Sequence, residues 1–235
     1  MKAAERVIVA LDVTSLAGAL AMARRLCGIV RTVKVGSSLF TSCGPEGVRR
    51  LRLLGFDVML DLKWFDIPST VALSCRAAVR HRVSMMTLHA AGGRRMLEAA
   101  VGGVRSEARA LRARRPLVLG VTVLTSVEDA SASQVSRRVM SLARTILQAG
   151  CDGVIASAQE AAALRQRFGR RPRIVCPGIR PRQAARGDQR RVARPCEALA
   201  DGADQLVIGR PITEARDPRA AARTILRELE SIDPC

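Results

Sequence analysis

The sequence predicts an α/β chain folded as an eight-stranded parallel (β/α)8 TIM barrel, and three observations lead there. Apolar runs rich in β-branched residues alternate with helical patterns in eight short units. Those runs are apolar on both faces, as parallel strands covered by helices must be. The 235 residues fall within the size of one such barrel, so residues 1–235 are expected to form a single domain. An open doubly wound sheet fits less well, because no GxGxxG follows the first strand.

The first unit joins a strand over Val7–Asp12 (VIVALD) to a helix over Leu16–Cys27. Thr32–Gly36 (TVKVG) reads as the second strand, with a helix over Pro45–Gly55 behind it. The apolar run Val58-Met59-Leu60 places the third strand over Asp57–Leu62, followed by a helix over Thr70–Arg80. Ser84–His89 and Leu117–Thr122 are the fourth and fifth strands, backed by helices over Arg94–Gly102 and Val135–Gly150. Gly153–Ser157 with a helix over Gln159–Gly169 makes the sixth unit. Strands over Arg173–Pro177 and Gln205–Gly209 complete the barrel, and a helix over Pro218–Ser231 closes the chain. The irregular stretch from Arg180 to Arg194 (RPRQAARGDQRRVAR) is long for a connection in a compact domain. It follows the seventh strand, where barrels build active sites and hold phosphate.

Composition narrows the function. Hydrophobic residues make up 48% of the chain, yet no run approaches the roughly 20 apolar residues that span a membrane. Residues 1–12 lack the long apolar region and cleavage site of a secretory signal, so a cytoplasmic protein without membrane partners is expected. Seven cysteines form neither a CxxC pair nor a zinc cadence with His81 and His89, which predicts free thiols and no metal. A net charge of +18 first suggests a polyanion partner. The arginines are dispersed rather than striped, however, and with no Tyr, one Trp and four Phe there are few stacking platforms, so nucleic acid is not the expected partner. Of 39 basic residues only Lys2, Lys34 and Lys63 are lysines, and two of these fall in strand-like motifs. An amine able to give up a proton differs there from a permanently charged guanidinium.

The densest polar cluster is Asp61-Leu62-Lys63-Trp64-Phe65-Asp66. A strand period of two points Asp61 and Lys63 to the same side, into the barrel mouth, with Asp66 beyond the strand end. An exposed strand-end ion pair beside a helix cap is the simpler alternative. Asp12 at the end of the first strand and Lys34 in the second argue against it, since neighbouring strands bring these charges together and each stabilises the others' ionised form. Pro177-Gly178-Ile179-Arg180 and Gly209-Arg210-Pro211 suit an anion: small residues for close approach, arginines for charge-assisted bonds, and a proline for the first turn of a helix. Gly-Arg-Pro alone also reads as a surface turn. His89 reads as structural, His81 as near a helix end, and Met85, Met86 and the cysteines as core filling.

Several motifs in fixed order carry a family resemblance: ALD at 10–12, KVG at 34–36, GPEGV at 44–48, DLKWFDIPST at 61–70, HAAGG at 89–93, LTS at 124–126, PGIR at 177–180, DQ at 188–189 and VIGRPIT at 207–213. Nearly end to end, the chain resembles the bacterial branch of the orotidine 5′-phosphate decarboxylases. That resemblance implies cofactor-free decarboxylation of orotidine 5′-phosphate to uridine 5′-phosphate and carbon dioxide in pyrimidine synthesis. It further implies Lys63 as proton donor to C6, Asp61 beside the substrate carboxylate, Lys34 linking Asp61 to the ribose hydroxyls, and Asp12 on the ribose. Asp66, with Ile67 and Thr70, is implied to complete the site of the second subunit of a homodimer. Thr125 and Ser126 are implied at the uracil, and Arg180, Gln189, Gly209 and Arg210 at the phosphate. Metal-dependent sugar-phosphate decarboxylases and aldolases of the same superfamily share DxKxxD. Their second-strand position resembles EVG, with the glutamate on Mg²⁺, whereas Lys34-Val35-Gly36 stands here and opposes a metal. Trp64-Phe65 departs from the family, in which a histidine often precedes the aspartate matching Asp66. The two competing readings are such a metal-dependent lyase and a basic nucleic-acid-binding protein.

Overall fold

A computed structural model describes residues 1–124, 131–181 and 193–231. Eight parallel strands close into a barrel in chain order: β1 (Val7–Ala10), β2 (Thr32–Gly36), β3 (Asp57–Trp64), β4 (Met85–His89), β5 (Leu117–Val121), β6 (Gly153–Ile155), β7 (Arg173–Cys176) and β8 (Gln205–Ile208). The helices on the described chain are α1 (Ala3–Arg6), α2 (Leu16–Leu26), α3 (Ser37–Leu53), α4 (Pro68–Arg80), α5 (Gly93–Ala110), α6 (Ala132–Gln148), α7 (Ala161–Phe168), α8 (Pro195–Ala200), α9 (Arg210–Thr213) and α10 (Pro218–Glu230). The predicted fold class is the observed one.

The two-sided apolar pattern has a direct structural cause. Val7, Val9 and Leu11 lie in the large core between barrel and helices, while Ile8 and Ala10 join Met59, Met85, Leu119 and Val175 in a separate core inside the barrel. Each strand therefore buries both faces.

Most differences from the expected elements lie at boundaries. Asp12, Thr122, Ser157, Pro177 and Gly209, expected as strand ends, lie just past the last laddered residues, in the loops that surround the barrel mouth. α3 begins earlier than expected, at Ser37, and bends at Gly44, whose φ of 56° only glycine adopts at little cost. α5 runs past Gly102 to Ala110, because Gly103 serves packing rather than termination: a Cβ there would lie 3.0 Å from the Ala72 carbonyl oxygen of α4. α1 and α8 are too short to show a helical period and have no counterpart among the expected elements, whereas α9 starts where Pro211 marks a first helical turn. Of the long Arg180–Arg194 connection, residues 182–192 lie outside the described part. Its ends are tied, with Ile179 bridged to Ala193 and the Arg180 amide donating to the Ala193 carbonyl at 2.9 Å.

One glycine is irreplaceable for the barrel. A Cβ at Gly153 would fall 2.0 Å from the Arg173 carbonyl oxygen on β7, a backbone atom that cannot swing away. Gly153→Ala is expected to lower Tm by about 10 °C or to prevent folding, since such overpacking costs about 3 kcal/mol; thermal unfolding followed by circular dichroism checks it.

Candidate active site

The strands deliver charge to one end of the barrel. On β2 Val33 and Val35 face the helices, so Lys34 faces inward. On β3 Val58 and Leu60 face the helices while Met59 faces inward, which turns Asp61 inward as well. Lys34 and Asp61 are each only 8% exposed, a burial that an ionised pair tolerates when matched. The Lys34 Nζ donates to Asp12 Oδ1 at 2.9 Å and lies 3.5 Å from Asp61 Oδ2. The Lys63 Nζ donates to the same Asp61 Oδ2 at 2.9 Å. Asp12, Lys34, Asp61 and Lys63 thus form one alternating chain of charge. Gly36 leaves room for it, because a Cβ there would crowd the Lys34 Nζ at 3.1 Å.

Burial alone would raise the Asp61 pKa. Lys34, then Lys63, and hydrogen bonds from Lys63 and Thr87 outweigh it and hold the carboxyl below its ordinary range. Asp61 is therefore ionised at neutral pH.

Lys63 reaches Asp61 by a route that strict strand alternation does not describe. In the β3–β4 ladder Leu60 pairs with Met86, but the next pair is Trp64 with Leu88, so Asp61, Leu62 and Lys63 stand opposite Thr87 alone. Lys63 sits in this bulge at φ 49°, the left-handed region. The expected side is correct, and the bulge, not the pleat, puts the lysine there.

The charge chain opens into a cavity of about 500 Å³, whose lining includes Asp12, Lys34, Asp61 and Lys63 together with Gly178, Arg180, Gly209 and Arg210. An apolar wall of Val121, Val123, Leu124 and Ile155 completes it. Arg180 is buried, and its pKa is lowered by that burial and by the neighbouring Arg210 charge, against the opposing effect of Glu214. Two guanidiniums held beside one another make a place for an anion. Pro211 stands in the first turn of α9 as expected, but the amides of Ile212 and Thr213 are spent on the Gly209 carbonyl.

The remaining predicted residues separate into two groups. Asp66, Ile67 and Thr70 are exposed outside this cavity, with Asp66 Oδ1 accepting from the Ile67 amide at 2.6 Å. Thr125, Ser126 and Gln189 lie outside the described residues. Trp64 packs against the core, whereas Phe65 is exposed with its ring 6.0 Å from that of His89. His89 accepts the Ala91 amide at Nδ1, 3.2 Å away, as the cap of a short turn, and His81 ends α4. Cys75, Cys151 and Cys176 are buried free thiols, pushed up to about 12 chiefly by burial and so inert at neutral pH. No helix among the described residues is long and apolar enough to cross a membrane.

Two residues went unforeseen. Glu214 joins the cavity beside the arginine pair. Thr87, wholly buried, donates to Asp61 Oδ1 at 2.8 Å. Its position two residues after the inward-facing Met85 was the available signal.

Comparison with known proteins agrees with this geometry. A family model described as "Orotidine 5'-phosphate decarboxylase / HUMPS family" matches residues 5–225. The orotidine 5'-phosphate decarboxylase of Moorella thermoacetica is 46% identical over 239 residues, covering 99% of this chain and 95% of that protein. Its counterpart from Halorhodospira halophila is 48% identical over 230 residues, covering 95% of each. The crystal structure of orotidine 5'-phosphate decarboxylase from Lactobacillus acidophilus aligns with a TM-score of 0.83 at 35% identity, over 95% of this chain and 98% of that one. With its barrel, its alternating lysines and aspartates and a match spanning nearly its whole length, the chain belongs to the orotidine 5'-phosphate decarboxylase / HUMPS family.

Proposed function

We propose that the chain converts orotidine 5′-phosphate to uridine 5′-phosphate and carbon dioxide, with Lys63 as the group that protonates C6. The observation that carries this reading is the Asp12–Lys34–Asp61–Lys63 array in a cavity that also holds the Arg180–Arg210 pair. Loss of carbon dioxide leaves an electron pair on C6 that no ring orbital delocalises. A fixed ammonium beside that carbon stabilises the developing charge; once the C6–carboxyl bond has broken and carbon dioxide has left, the electron pair on C6 takes a proton from Lys63, leaving Nζ as the neutral amine. Charge preorganised in this way is worth more in the transition state than in the ground state. Asp61 lies beside the departing carboxylate, Lys34 and Asp12 take the ribose hydroxyls, and Arg180, Gly209 and Arg210 take the phosphate. Thr125 and Ser126 serve the uracil and Gln189 the phosphate. Lys34 puts a fixed positive charge between Asp12 and Asp61, the place a divalent ion would need. The chemistry calls for no cofactor, nucleic acid or membrane.

The test follows the ultraviolet absorbance of orotidine 5′-phosphate with purified protein and excess chelator. Rapid decay that the chelator leaves unchanged supports the reading. A folded protein that leaves the substrate intact, but turns over sugar phosphates with Mg²⁺, overturns it.

The working unit in this reading is a homodimer, in which Asp66, Ile67 and Thr70 complete the partner's site. Ile67, Thr70 and Leu73 recur every third residue from the start of α4 and so share one helical face. Ile67 and Leu73 are 62% and 64% exposed, an apolar patch with the neighbouring Phe65 that a second copy would cover. Replacing Ile67 and Leu73 together by aspartate is expected to leave the barrel folded, shift sedimentation from dimer to monomer, and cut activity at least tenfold. A wild-type protein that is monomeric and fully active at assay concentration contradicts the shared site.

A further inference from the structure

We infer that Thr87 is a positioning residue for the reaction: its single hydroxyl fixes both the carboxylate of Asp61 and the backbone of Lys63. This deepens the decarboxylase reading above and rests on it. The hydroxyl oxygen accepts the Lys63 amide at 3.0 Å, and an amide can only donate. Its own proton is then left for Asp61 Oδ1, 2.8 Å away. The other carboxylate oxygen takes the Lys63 ammonium at 2.9 Å. Backbone, hydroxyl, carboxylate and ammonium therefore form a closed ring of interactions, with Thr87 as the member that belongs to another strand.

The ladder explains why such a member is needed. Asp61, Leu62 and Lys63 bulge out opposite Thr87, and Lys63 occupies the left-handed region at φ 49°, where the Cβ of any residue but glycine crowds the backbone. Such a conformation persists only where its surroundings over-determine it. In a regular sheet the ladder would supply that constraint from backbone groups; here the Thr87 side chain receives the Lys63 amide. Thr87 is wholly buried, so water cannot replace it. Without the hydroxyl, Lys63 N–H and Asp61 Oδ1 both lose a buried partner, and the ammonium is free to drift from the reacting carbon. Misplacement by about 1 Å costs up to roughly a hundredfold in rate.

Thr87→Val keeps the shape and removes the hydroxyl; Thr87→Ser keeps the hydroxyl and removes the methyl. We expect Thr87→Val to lower kcat about thirtyfold, equivalent to about 2 kcal/mol, with KM within threefold. Thr87→Ser is expected to keep kcat within threefold of wild type. A role in packing alone reverses this order, because valine fills the space and serine leaves a cavity. Valine at the wild-type rate, or serine no better than valine, overturns the inference. Circular dichroism checks the fold, and Thr87→Ala supplies the hydroxyl-free partner should valine not fold. Lys63→Ala measured in parallel separates the two levels: an active Lys63→Ala removes the underlying reading, whereas an inactive one beside a normal Thr87→Val removes only the role of Thr87.

Discussion

Lys63→Ala is expected to lower turnover of orotidine 5′-phosphate by at least about 10⁴-fold while leaving the barrel intact, because it removes electrostatic stabilisation and the proton donor together. The charge network shows why the fold should survive. Asp61 Oδ2 still has the Lys34 ammonium 3.5 Å away, and Asp61 Oδ1 still accepts from Thr87 at 2.8 Å, so no buried carboxylate is stranded. The Lys63 side chain is itself 37% exposed, and its loss opens no core cavity. The measured signature of Lys63→Ala is a flat absorbance trace from a protein whose Tm is within a few degrees of wild type. Lys63→Arg should be no rescue, since a guanidinium does not release a proton at accessible pH. Substantial turnover by either variant assigns the proton to another group.

The same residues show what was legible beforehand. Eight strands could be read because each buries two faces, which leaves runs such as Val7-Ile8-Val9 without polar interruption. The charge array could be read because ionised residues inside such runs need partners, and adjacent strands supply them. Helix limits were harder where glycine serves packing, as Gly103 does against Ala72. The bulge at Lys63 left no period to detect, since two strands define it and one segment does not. Thr87 was missed for a related reason. A lone threonine in an apolar run is an ordinary strand residue until the strand beside it is known to carry an unladdered amide and a carboxylate. Asp66, Ile67 and Thr70 are exposed on this chain, and their proposed place in a partner's site comes from the family resemblance rather than from any strand or helix pattern.

Arg210→Ala is expected to act differently, raising KM about a hundredfold with a smaller fall in kcat, because charge-assisted bonds to a phosphate contribute about 3 kcal/mol and the reacting carbon lies elsewhere in the site. The signs in the unliganded protein support this. Burial and the adjacent Arg210 charge both depress the Arg180 pKa against the opposing effect of Glu214, so an anion bound at the two guanidiniums offsets their mutual repulsion. Removing Arg210 should then reduce the stabilisation that uridine 5′-phosphate confers on binding. Orotidine without its phosphate completes the comparison. If the phosphate is the partner of Arg210, wild type and Arg210→Ala should process that truncated substrate at nearly equal, low kcat/KM, since each already lacks one half of the same interaction. A loss of equal size on both substrates would place Arg210 at the pyrimidine or in the fold. Equal and mild losses of kcat in Arg210→Ala and Lys63→Ala would contradict the division of labour itself, in which one end of the cavity binds and the other reacts.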